Sequence, residues 1–212
     1  MPHYQLLNQD PESLLIFLEN NIIASGLLAN SKVKNQPEHL ILQKSATQGE
    51  INGQPADVYY IKNSGESSSR KALKSYICDY TKGNVEYCTL GRDAGFCFTI
   101  TMNGCTFGIG QPADDGTVLV SHANTGGETV AQRSQTIGIH SEHNSVLRSV
   151  LEPALYRRMA DRLTASTFGI KTGGGWKFYF QLYRPESGVF KCYGTFPIIE
   201  QKLSNPKAIP TI

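Results

Sequence analysis

Between Gly95 and Ala123 the chain alternates and turns in a way that few folds accommodate. Phe96, Phe98, Ile100 and Met102 alternate with Cys97, Thr99, Thr101 and Asn103, the period of two that puts successive side chains on opposite faces of a half-buried strand. The run stops at Asn103-Gly104. A second β-like run, Thr106 to Ile109, leads through the loop Gln111-Pro112-Ala113-Asp114-Asp115-Gly116 to a third, Thr117 to Ser121, which runs straight into His122. Linkers this short predict that the three strands are neighbours in one sheet. A sheet at the centre of the chain is therefore the fixed point for the rest of the fold.

Helical periodicity flanks it. Asp10-Pro11-Glu12 supplies an N-cap, a first-turn proline and an acid, and Leu14, Leu15, Phe17, Leu18, Ile22 and Ile23 follow at helical spacing before Gly26. From Lys32 to Ser69 the chain is polar and turn-rich, with short β-like runs at His39 to Gln43 and Asp57 to Lys62 and a surface loop at Asn63 to Ser69. Lys71 to Tyr80 fits a short helix or a strand equally well. Beyond Ser141, Val146, Leu147, Val150 and Leu151 make one apolar face, Pro153 interrupts, and Leu155, Met159 and Leu163 continue it, which predicts two helices or one kinked helix. Three glycines, Gly173 to Gly175, introduce Trp176 to Arg184, and the turn Pro185-Glu186-Ser187-Gly188 leads to Val189 to Ile199, the pattern of a long hairpin. The tail from Ser204 is read as irregular. The expected fold class is mixed α/β, a central β-sandwich or mixed sheet with flanking helices in a single domain over residues 1–212. Its parts are an N-terminal helix over about 10–25, strands carrying the chemistry over about 95–124, helices over about 141–166 and a C-terminal hairpin over about 176–199.

Composition narrows the class of function. Twenty Lys plus Arg against 18 Asp plus Glu give a net charge of +2, too little for a basic field that would draw nucleic acid. No apolar stretch reaches the length of a membrane span, and the opening MPHYQLLNQDPE lacks the charged and apolar regions of a secretory signal peptide. The five cysteines, Cys78, Cys88, Cys97, Cys105 and Cys192, are odd in number and form no CxxC pair or zinc-type spacing. Free thiols and a reducing working compartment are expected, with no metal and no cofactor. Neither glycine-rich stretch, Gly104 to Gly110 or Thr172 to Gly175, has the context of a nucleotide-binding loop.

Cys105 stands out among the thiols. It follows Gly104, where the backbone can turn sharply and leave room for a substrate carbonyl, and it lies just past a strand end. The next strand delivers His122 to an adjacent strand end, where an imidazole can accept the thiol proton that must leave before sulfur acts as a nucleophile. The competing reading is that Asn103-Gly104 is an ordinary hairpin turn and that Cys105 packs like a small apolar residue. Cys78, Cys88, Cys97 and Cys192 read as core residues, His140 and His143 as solvent-exposed, and His3 and His39 carry no signal. Trp176, Phe178, Tyr179, Phe180 and Tyr183 read as packing rather than a stacking platform.

The order Thr99, Gly104-Cys105, His122 resembles the thiol glutamine deamidases: the catalytic domain of cytotoxic necrotizing factors, the Burkholderia lethal factor and the bacterial chemoreceptor deamidases. Those families carry a strand, a Leu-Ser-Gly-Cys or Leu-Gly-Ser-Cys turn, and a histidine after a further strand. Here the turn is Met102-Asn103-Gly104-Cys105, the cysteine and histidine are 17 positions apart (122 − 105), and Thr99 lies six positions before the cysteine (105 − 99). The likeness covers about thirty residues, and the serine of the toxin motif is replaced by Asn103. The resemblance implies a protein-glutamine deamidase that forms a cysteine thioester, a bacterial toxin or effector secreted or translocated to act in the host cytosol. Cys105 and His122 would be catalytic, Thr99 would hold the imidazole, and Asn103 and Gly104 would belong to the oxyanion and substrate site. The implied partner is a host protein bearing the target glutamine, with no nucleic acid or membrane span and a monomeric enzyme. The alternatives are a transglutaminase using the same dyad, a thiol protease, which the turn sequence disfavours, and a β-rich interaction module in which Cys105 is structural.

Overall fold

Strand-forming residues dominate once the chain is folded, and the fold is mixed α/β with far more strand than helix. The computed structural model describes residues 11–24, 35–64, 72–124, 129–156 and 163–199. Helix α1 (Pro11–Asn20) runs into the short strand β1 (Asn21–Ala24). Then come β2 (Glu38–Ile51), β3 (Gln54–Asn63), β4 (Leu73–Cys78), β5 (Val85–Leu90), β6 (Phe96–Thr99), β7 (Thr106–Gly110) and β8 (Val118–Ala123). Helix α2 (Thr129–Glu142), β9 (Leu147–Leu151), the single turn α3 (Pro153–Tyr156), β10 (Thr164–Thr172), β11 (Gly175–Glu186) and β12 (Val189–Pro197) complete the order.

The strands form two sheets. The larger is ordered β1-β3-β2-β12-β11-β10-β6-β4, and β4 returns to pair with β2. Leu40 pairs with both β3 and β4, while Gln48 to Ile51 pair with both β3 and β12. The edge of β2 that faces away from β3 thus takes β4 near its start and β12 near its end, and the sheet curls round on itself. Helix α1 fills the concave side: Leu14, Phe17 and Leu18 pack with Leu40, Ile61, Leu73, Phe96, Phe98 and Phe168. The smaller sheet, β5-β8-β7-β9, lies against the other side. Its Cys88, Leu90, Phe107, Ile109, Val118, Val120 and Leu151 join Tyr76, Cys97, Trp176, Phe178 and Leu182 in a second core. Strand β6 is therefore buried on both faces, where the alternation had predicted a half-buried strand, and it pairs with β10 and β4 in the larger sheet rather than joining β7 and β8 in one sheet.

Several elements differ from expectation for local physical reasons. The N-terminal helix ends at Asn20 rather than near 25: the amides of Asn20 and Asn21 donate back to the carbonyls of Ile16 and Phe17, at 2.7 and 2.8 Å. Buried Gln181 then takes over, accepting from the Ile23 N–H at 2.9 Å and donating to the Asn21 carbonyl at 2.7 Å. Asp10, the expected N-cap, lies outside the described residues, as do most of the loop Asn63 to Ser69 and the tail from Ser204. The runs at His39 and Asp57 are parts of one long hairpin, turned at Asn52-Gly53 with φ of 52° and 78°. That is the two-residue turn whose backbone suits strand twist. Within the run Lys71 to Tyr80 the described residues form strand β4, Leu73–Cys78. The helices expected over about 141–166 are largely corrected: only the end of α2 and the single turn α3 are helical there among the described residues, and residues 157–162, Met159 included, lie outside them. The helix is Thr129–Glu142, and Leu147–Leu151 is a strand paired with β7. Residues 164–166 begin β10, which pairs along its full length with β11. An apolar run with two spacings of three or four residues fits a buried strand as well as a helix, and here the open edge of β7 decides. The C-terminal hairpin is as expected, turning at Ser187-Gly188 with φ of 51° and 83°. Among the described residues no helix is long and apolar enough to cross a membrane.

Candidate functional site

Cys105 enters the fold at the foot of β7. Gly104 before it has φ of 105°, a left-handed conformation that a side chain would strain, so the sharp turn expected there is real. Thr106 pairs with Ala123 and Phe107 with His122 across the antiparallel β7–β8 pair. Side chains alternate along a strand and paired residues share a face, so Phe107 and His122 point into the layer between the two sheets, and Cys105, just before the strand, is buried in the same cluster as Phe107. Cys105 lies one position before β7 and two before Phe107, the residue opposite His122.

Both side chains are buried, with 4% of Cys105 and 1% of His122 exposed. Cys105 sits in the apolar cluster with Met102, Phe107, Tyr156, Leu163 and Ala165. A cavity of about 720 Å³ lies elsewhere, beside the bulge of β2 at Lys44 to Gln48, and includes neither residue. Neither ring nitrogen of His122 has a hydrogen-bond partner among the described residues. Burial lowers its pKa to about 4, against a weaker opposing pull from the Asp79 carbonyl and the Glu86 carboxylate. The Asp79 carbonyl, near as it is, does not form a hydrogen bond of normal geometry with the ring. The imidazole is therefore neutral at physiological pH, the form that accepts a proton. Tyr80 covers it with ring centroids 5.7 Å apart, and Glu86 on β5 is its direct cross-strand neighbour. Glu86 is the one acidic residue placed opposite His122, and nothing local in the sequence marks it.

Two of the other expected site residues are engaged elsewhere. Thr99 does not hold the imidazole: its hydroxyl bonds with the Thr167 hydroxyl on β10, because β6 belongs to the large sheet and pairs with β10 there. The Gly104 N–H is not available to an oxyanion, since it donates to the Tyr156 hydroxyl at 2.8 Å. Asn103 is exposed at the tip of the turn. Around the cysteine the backbone is tied down. The Tyr156 hydroxyl donates to the Cys105 carbonyl at 3.0 Å. The Gln132 amide, from the first turn of α2, donates to the Gly104 carbonyl at 3.0 Å and accepts from the Thr106 hydroxyl at 2.9 Å.

His140 is not exposed, contrary to its surroundings in sequence. It is 1% exposed and lies on the other face of the small sheet, where Gly108 and Gly110 leave it room. Its Nε2 bonds with Ser121 and its Nδ1 with Ser145, both at 3.1 Å. Burial, followed by the nearby His143, lowers its pKa to about 4. The remaining thiols, Cys78, Cys88, Cys97 and Cys192, are buried, and all five cysteines are free. Burial pushes the Cys78 and Cys97 thiols well up and Cys192 to about 11, which keeps them protonated and inert. No group of three or more His, Cys, Asp or Glu side chains that could hold a metal ion occurs among the described residues. Compared with protein-family models and with curated protein sequences, the chain matches none.

Proposed function

We propose that the protein is a thiol hydrolase that deamidates a glutamine side chain of another protein, with Cys105 as nucleophile and His122 as its base. The observation that carries this reading is the neutral imidazole of His122, buried with both nitrogens unpaired among the described residues and opposite Phe107, two positions after Cys105. A buried polar group without a partner is costly and asks for a role. Proton exchange with the neighbouring sulfur supplies one.

The steps follow from that pair. His122 takes the Cys105 proton, and the thiolate adds to the carboxamide carbon of the glutamine. The resulting oxyanion is met by the Cys105 backbone N–H and the Asn103 amide. The imidazolium returns the proton to nitrogen, the C–N bond breaks, and ammonia leaves a thioester. Water, deprotonated by His122, hydrolyses the thioester to glutamate and restores the thiol. The target gains one negative charge, enough to disable a buried or catalytic glutamine. The resemblance of the Asn103-Gly104-Cys105 turn and the spacing to His122 supports a translocated bacterial effector acting on a host protein. If an amine replaces water the same thioester yields a transglutaminase.

A second reading has its own observation. Cys105 lies almost wholly within apolar packing, which favours a β-rich interaction module in which the sulfur only fills space. Mass spectrometry of host-cell proteins incubated with wild type and Cys105→Ser separates the two. The hydrolase reading expects the increment of about one dalton that accompanies conversion of an amide to an acid, with wild type alone. Identical spectra from both proteins would leave the packing reading standing. Labelled primary amine added to the same incubation detects transglutamination.

A further inference from the structure

The strongest unassigned feature is the hydrogen-bonded frame around the Gly104-Cys105-Thr106 backbone. One buried hydroxyl, that of Tyr156, both accepts from the Gly104 N–H and donates to the Cys105 carbonyl. One buried amide, that of Gln132, grips the residue on either side of the cysteine, the Gly104 carbonyl and the Thr106 hydroxyl. Tyr156 is 0% exposed and Gln132 is 2% exposed. They arrive from separate elements, α3 beyond β9 and the first turn of α2, so neither bond follows from the β7–β8 pairing itself.

We propose that Tyr156 and Gln132 are positioning residues for the nucleophile, an inference that rests on the deamidase reading above. A glycine with φ of 105° leaves the preceding turn many alternatives, and strand pairing begins only at Thr106. The two side chains hold the peptide planes on either side of Cys105 through four hydrogen bonds. Those planes set the direction of the Sγ toward the His122 face and the aim of the Cys105 N–H at the oxyanion. The Gln132 bond also ties the turn to the first turn of α2. Misplacement by about 1 Å of a reacting group costs a rate factor on the order of a hundred.

The test uses the full chain and two probes: ammonia release from the peptide acetyl-Ala-Gln-Gly-amide, and alkylation of Cys105 by iodoacetamide followed by peptide mass spectrometry. Tyr156→Phe and Gln132→Met keep volume and remove the bonds. Both are expected to stay folded by circular dichroism, to lose about tenfold to a hundredfold in kcat with KM within about twofold, and to alkylate more slowly in proportion. Thr106→Val, which frees one end of Gln132 and leaves Tyr156 in place, is expected to lose about threefold and carries the test if Tyr156→Phe does not fold. Folded variants with wild-type kcat and wild-type alkylation would overturn the positioning role while leaving a Cys105→Ser-sensitive deamidase intact. If wild type is inert on the peptide yet alkylates at Cys105 first, the alkylation rates alone decide the positioning role. If wild type is inert and Cys105 alkylates no faster than the other four thiols, the deamidase reading falls and the positioning role with it.

Discussion

Two buried histidines on opposite faces of one small sheet have the same depressed pKa, about 4, and opposite hydrogen bonding. His140, on the α2 face, has a serine on each ring nitrogen and two glycines that make space for it. His122, on the inter-sheet face, has no partner on either nitrogen among the described residues. Desolvation alone therefore does not distinguish a structural imidazole from a reactive one. The difference lies in whether the fold has already used its donor and acceptor.

Exchanging each ring for a hydrocarbon of similar size breaks the comparison most sharply. His122→Leu is expected to reduce deamidation by about a hundredfold to ten-thousandfold, the range for removing a general base. Thermal melting should show unchanged or higher stability, since a buried unpaired polar group is removed. His140→Leu should leave the rate near wild type.

Acid titration of stability gives the next largest effect. A histidine held near pKa 4 in the fold and near 6.5 in the unfolded chain takes up its proton first when unfolded. The stability due to the neutral ring is then complete above about pH 6.5 and is lost as pH falls toward 4, by up to about 3 kcal/mol for fully buried His122. Denaturant midpoints measured between those pH values should fall, and His122→Leu should flatten the decline.

Packing on the His140 face comes third. His140→Leu strands the Ser121 and Ser145 hydroxyls, and Gly108→Ala drives a methyl against Thr136, Ser121 and His140. Each should lower stability by about 1–3 kcal/mol in urea unfolding. The smallest effect belongs to Thr99→Val. With its hydroxyl bonded to Thr167 rather than His122, the change should cost about 1 kcal/mol of stability and less than about tenfold in rate. A loss as large as that of His122→Leu would place Thr99 back at the imidazole.

The parts of this arrangement that were legible in the sequence are those encoded within a few residues. The alternation around Phe96, the Gly104 turn, the strand carrying His122 and the Ser187-Gly188 hairpin all carry local signals, and the fold uses them. The pairing that decides Leu147–Leu151 is long-range: an edge of β7 some forty positions earlier converts an apparent helix face into a strand. The hairpin turned at Asn52-Gly53 was not read from the sequence, because the polar residues of β2 before it masked the strand. Of the candidate site, Cys105 and His122 were readable from turn and spacing. Gln132, Tyr156 and Glu86 were not, because each acts through a tertiary contact and sits in a segment with no motif of its own. Thr99 shows the converse: the right spacing in sequence, with its hydroxyl claimed by a neighbour across the large sheet.

The central claim is that the His122 ring and the Cys105 sulfur exchange a proton, and NMR titration of the His122 ring protons from pH 5 to pH 10 tests it directly. In wild type the His122 resonances should stay those of a neutral ring through the acid part of this range and then shift as Cys105 ionises. In Cys105→Ala that alkaline inflection should vanish, while the His140 resonances stay those of a neutral ring in both proteins. A His122 trace unchanged by loss of the sulfur would contradict the account.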